Sequence, residues 1–162
     1  MANSFEIVSY KQTIMSMLIH NSRIAELIND PDIEEVEELI GTHLFNFIRI
    51  PQSIEEENTY IAYEVDIPNI VSSNATWFKK LTLTFYVITH ERTMPTDEGG
   101  TRIDLLAAEL DQMFTGFKGL GTQPLELVSN TSNGISVKHR CRILTFKAED
   151  WIDTHCNNEF NE

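Results

Sequence analysis

The stretch WFKKLTLTFYVITH, residues 77–90, places Leu81, Leu83, Phe85 and Val87 on one side and Lys80, Thr82, Thr84 and Tyr86 on the other. Side chains of a strand point alternately to two faces, and branched and aromatic residues suit the pleat, so this alternation predicts a half-buried strand. TYIAYEVDI, residues 59–67, follows the same rule, with Ile61, Tyr63, Val65 and Ile67 set against Glu64 and Asp66. TRIDLLAAELDQMF then changes period: Ile103, Leu106, Ala107, Leu110, Met113 and Phe114 recur at helical intervals. Thr101 is placed to cap that helix and Asp104 to reach back as in a capping box, at the positive end of the helix dipole.

Other segments are read in the same way. FEIVSYKQTIMSMLIH spaces Ile7, Tyr10, Ile14, Met17 and Leu18 along one stripe of a helix. Asn21 or Ser22 can cap a short second helix that Pro31 stops. DPDIEEVEELIG predicts a third, with Asp30 as cap, Pro31 in the first turn, Gly41 beyond the end, and glutamates 34, 35, 37 and 38 on a wet face. THLFNFIRIP becomes extended towards Pro51, and SIEEEN reads as a loop. PNIVSSNAT reads as a turn-rich connection, and ERTMPTDEGG and GFKGLGTQ as loops. PLELVSN and ISVKHRCRILTFKA form a strand pair whose turn signal is Asn133-Gly134. The order of elements predicts an α+β fold: a mostly antiparallel sheet of four to five strands with helices packed on one face. Residues 1–150 make a single domain, and 151–162 a polar C-terminal tail.

Charge narrows the function. Twelve basic against 25 acidic residues give −13. Nucleic-acid binding needs cations to neutralise phosphates, and the one basic concentration, Lys138 to Arg142, splits between two strand faces. No apolar run approaches the roughly 18 residues of a membrane span, and the first residues lack a signal-peptide pattern, so the expectation is a protein of no membrane that stays where it is made. Two cysteines in 162 residues are no disulfide framework, which points to a reducing cytoplasm.

Candidate chemistry concentrates in residues 89–104, which hold His90, Glu91, Arg92, Asp97, Glu98, Arg102 and Asp104. His90-Glu91 lacks the helical HExxH arrangement of a metal site, and Glu91 faces away from His90 along the strand. An acid–base pairing of His90, Glu91 and Asp104 is the enzymatic alternative. His139 and Cys141 share a strand face, and with His155 and Cys156 they offer ligand types for zinc, but without a CxxC spacing. GFKGLG lacks the GK[ST] ending of a phosphate loop, and there is no GxSxG. The reading is a protein that is not an enzyme and takes no metal or cofactor. The residues expected to contact partners are His90, Arg92, Thr93, Met94, Thr96, Asp97 and Arg102, which are polar or loop-borne with no evident core role.

The succession TYIAYEVDI, KKLTLTFYVITHERTM, GGTRIDLLAAELDQMF and HRCRILTFKAED resembles the tail-terminator or tail-completion proteins of tailed-bacteriophage necks. The resemblance spans roughly residues 20–150 and implies no catalytic residues. It implies a homo-hexameric ring in the virion, assembled in the host cytoplasm, that caps the tail tube protein and meets a head-completion or connector protein. DNA would only pass through its negative lumen. Another neck or head-completion adaptor, or a tail-hub subunit, is the nearest alternative.

Overall fold

A computed structural model describes residues 5–73 and 76–152. Three helices, α1 (Phe5–Ile19), α2 (Ser22–Ile28) and α3 (Arg102–Phe114), cover one face of a five-stranded sheet. The strands are β1 (Leu44–Phe45), β2 (Tyr60–Ser73), β3 (Thr76–His90), β4 (Glu126–Gly134) and β5 (His139–Ile152), in the order β1-β2-β3-β5-β4. Among the described strands only the two-residue β1 runs parallel to its neighbour, so the expected α+β, mostly antiparallel sheet is what forms.

β3 lies at the centre, paired along its length with β2 on one flank and β5 on the other. Its alternation decides the layers. Leu81, Leu83, Phe85 and Val87 are fully buried beneath the helices, together with Ile61, Tyr63, Leu144 and Phe146 from the flanking strands. Phe85 is the hub, with the ring of Phe114 at 4.8 Å, Tyr63 at 5.8 Å and Phe146 at 6.1 Å. Each such side chain contributes about 1.5–3 kcal/mol by leaving water. A second, smaller cluster of Phe45, Tyr60, Ala62, Ile88 and Cys141 sits on the opposite face.

Several expected boundaries move. The turn-rich reading of PNIVSSNAT is overturned: β2 continues to Ser73, and the register slips between Asp66 and Asn69. That irregularity accommodates Pro68, which has no N–H for a regular ladder. The helix expected from Asp30 shrinks to a 3-10 turn at Val36–Leu39. Asp30 accepts from the amide of Asp32 and bonds His43, and Glu38 turns back to the amides of Glu34 and Glu35, so local side-chain bonds replace the helical ladder. Gly41 follows with φ +79°, as its position required. Asn133-Gly134 is not the turn: Gly134 stays in the ladder opposite Arg140. The chain reverses at residues 135–138, where the Ser136 hydroxyl accepts from the amides of Lys138 and His139. Trp151 and Ile152, expected in the tail, extend β5, and the rest of the tail lies outside the described residues.

One charge breaks the pattern of β3. Lys79 has the parity of Leu81 and is 2% exposed. Its ammonium meets Glu6 of α1 and lies 3.0 Å from Asp150 of β5, while the Tyr10 hydroxyl donates to Asp150 at 3.3 Å. Burial alone would lower the Lys79 pKa, but hydrogen bonds with Glu6, Asp150 and Tyr10 outweigh it and raise it. The cation therefore stays charged and ties the start of α1 to the sheet. Replacing Lys79 with alanine leaves Glu6 and Asp150 facing each other without a counter-charge. The expected loss is roughly 2–3 kcal/mol, at the low end for a buried ion pair because Glu6 is partly in water, read as a lower urea midpoint at unchanged slope.

Candidate functional site

The polar cluster of residues 89–104 starts at one end of the sheet, where three buried histidines grip a single loop. His90 ends β3 and His139 begins β5, and the two are paired across the ladder with their rings 5.1 Å apart at 80°. The backbone amide of Arg92 donates to Nδ1 of His90, so Nε2 carries the proton and donates to the Ile54 carbonyl at 3.2 Å. His139 accepts from the Ser136 hydroxyl at Nδ1 and donates from Nε2 to the Glu56 carbonyl at 2.7 Å. His43 lies on the helix side and meets the Thr59 carbonyl at 2.7 Å and the Asp30 carboxylate at 2.7 Å. Both His43 contacts are oxygen acceptors, one on the loop and one at the end of α2.

The loop between β1 and β2 is thus held through the carbonyls of Ile54, Glu56 and Thr59. The Thr93 hydroxyl bonds the Glu57 carbonyl and the Thr89 hydroxyl, and Thr89 in turn bonds Thr59. Arg49 lies over the rings of Phe45 and Tyr60 at about 5 Å and pairs with Glu56 at 2.9 Å. Arg92–Glu57 and Lys138–Glu55 close the exposed rim. The loop seals the apolar cluster of the open sheet face against water.

Arg102, expected among the contact residues, turns inward: Nε donates to the Thr93 carbonyl at 2.6 Å and Nη1 to the Leu27 carbonyl. The guanidinium fastens the end of α2 and the 91–93 turn to the start of α3. Burial lowers its pKa. His90, expected at a contact surface, is fully buried. Met94 packs against the core and Thr96 donates to the Gly100 carbonyl at 2.7 Å. Arg92 and Asp97 do remain exposed. Thr101 caps α3 as expected, accepting from the Asp104 amide, while the Asp104 carboxylate lies 2.6 Å from Arg142.

A cleft of about 260 Å³ lies beside these residues, lined in part by Asp30, His43, Glu57, Thr93 and Arg102. Its strongest polar groups are already occupied: both His43 nitrogens are bonded, and the Arg102 guanidinium is directed to backbone carbonyls. His90 and Asp104 are engaged with different partners and form no acid–base pair. His139 and Cys141 do share the open face, but His139 is bonded at both nitrogens and burial pushes the Cys141 thiol up to about 11. The His155 and Cys156 pair lies outside the described residues. The geometry provides a mechanical closure and a surface.

A family model named YomW matches residues 12–148. The chain belongs to the YomW family. Among solved structures, a chain described as "Virion of native gene transfer agent (GTA) particle" is similar over 81% of this chain and 93% of its own, at 14% identity and a TM-score of 0.49. A comparison with curated proteins finds no match. The family match runs from within α1 into β5, and so includes all three histidines and the loop they hold.

Sequence reasoning missed His43, Lys79 and the role of the loop. Lys79 was detectable as a charge on the buried parity of a strand. His43 carried no signal, because its partners are fixed by tertiary contact. Replacing His90 or His139 with alanine is expected to cost about 1–3 kcal/mol each and to speed amide exchange across residues 54–58, read by hydrogen-exchange mass spectrometry. The Asp32 amide and the His43 ring hold the Asp30 carboxyl below the usual carboxylate range. Its contribution is therefore present above the unfolded value near about 4 and is lost as pH falls through the lower folded value. Asp30→Asn is expected to be less stable than the parent at pH 6, with the gap narrowing towards pH 2 in denaturant titrations.

Proposed function

We propose that this protein is a structural component of a phage-type virion, acting as a tail terminator: a hexameric ring that caps the tail tube and joins it to the head connector. The observation that carries the reading is the occupation of the polar cluster. His90, Thr93 and Arg102 hold the fold, and neither they nor Asp104 presents a reactive group to the cleft. A chain organised in this way works by presenting surfaces, and no enzymatic activity is assigned to it.

The strand–helix–strand succession that resembles tail-completion proteins is retained in the fold. The −13 charge suits a channel through which DNA slides without adhering. Exposed large apolar side chains, among them Phe47, Ile48 and Ile50 in the loop between β1 and β2, suit burial against neighbours. Arg92, Thr96 and Asp97 remain the candidates for contact with the tube or connector protein. Assembly takes place in the host cytoplasm.

The test is imaging of purified particles in which this chain carries a small tag, beside particles made without it. The expected outcome is tag density at the head-proximal end of the tail, with unjoined heads and tails when the chain is missing. Density at the portal or at the distal hub would favour the adaptor or hub alternative. Purified virions free of the chain would overturn the structural reading.

A further inference from the structure

Two surfaces of this chain have a chemistry opposite to the rest of it. The first is the outer side of α1. Its inner stripe enters the core, yet Phe5, Val8, Ser9, Gln12 and Ser16 are solvent-exposed, and none is charged. The two charges of the helix, Glu6 and Lys11, are tied to Lys79 and Glu64. Between this side and Ile40 runs a groove of about 440 Å³ whose apolar walls are Val8, Met15, Ile19 and Ile40. The one charged side chain lining it, Lys11, places its ammonium on Glu64 and the Asn46 carbonyl.

The second surface is the outer part of β2, residues 69–73. The run IPNIVSSNATWF, residues 67–78, contains no charged residue in a chain that is 23% charged. Ile70 and Val71 on it are 47% and 42% exposed. β1 pairs only with Ile61 and Ala62, so among the described residues no strand covers the outer edge of 69–73. An uncovered apolar edge without charge lacks the usual protections against pairing with another chain. Charge depletion with retained apolar exposure is the composition of an interface centre.

We propose that this outer edge of β2, residues 69–73, is an arm by which one copy seats in the α1 groove of the next. The charge balance selects the occupant. Copies of a −13 chain repel through most of their surfaces, and contact between two uncharged patches avoids that cost. The dimensions agree: the five paired residues from Asn69 to Ser73 span about 17 Å, and α1 is about 22 Å long. Because the two patches differ, the contact is head-to-tail, which builds a ring where the rotation between copies closes and a filament where it does not. The inference deepens the ring reading above and names its contact.

Val8→Glu places a charge in the groove and Ile70→Glu places one on the arm, both at exposed positions where the fold tolerates it. Circular dichroism and melting temperature check that each variant folds like the parent. Native mass spectrometry across a concentration series then reads assembly. The parent is expected to form higher species, and each variant alone to associate at least tenfold more weakly. Mixing the two is expected to give a 1:1 pair and nothing larger, since one intact arm and one intact groove remain between them. The proposal is overturned if either variant assembles like the parent, if the mixture stays monomeric, or if the parent does not self-associate. A parent that assembles regardless of both substitutions leaves the virion reading standing with a different contact. A parent that is monomeric and also missing from purified particles removes both.

Discussion

The fold depends on the position of β3, a strand paired on both flanks whose two faces have different tasks. Its helix-side residues from Lys79 to Val87 fix α1, α2 and α3 over the sheet. Its opposite side ends in Ile88 and His90, which hold the loop between β1 and β2. Strand pleating makes these assignments inseparable. A slip of one residue would bring Thr82 and Thr84 into the core and expel Leu83 and Phe85. Pairing on both flanks removes that freedom.

The histidines extend the same logic to a region without secondary structure. A loop over an apolar sheet face has backbone carbonyls that must be satisfied away from water. Buried imidazoles are suited to this, since a ring nitrogen donates without bringing the long flexible stem of lysine. His90 and His139 face each other across one ladder and act on carbonyls two residues apart, so the sheet sets the spacing of the anchors. Titratable side chains that would read as reactive in a sequence are here the fasteners of a scaffold.

Surface charge completes the picture. The acidic groups are distributed over most of the chain, while the outer side of α1 and residues 69–73 of β2 lack them. Charge at every exposed position favours solubility, and these two patches depart from that pattern.

The sequence by itself determined the class of fold, the two long strands with their buried parity, the α3 helix and its Thr101 cap, because each rests on a local period or a local hydrogen bond. Gly41 was legible for the same reason. Tertiary structure decided the rest. The helix expected after Asp30 gave way to local bonds to Asp30 and Glu38, and the second Asp30 oxygen meets His43, thirteen residues on. Residues 68–73 became strand because β3 offered a partner along its full length, whatever their turn-like composition. The partners of Arg102 and His90 were not legible in the sequence, since the carbonyls of Leu27 and Ile54 that receive them are distant in the chain. Periodicity records which face a residue takes; only folding brings a donor to an acceptor far along the polypeptide.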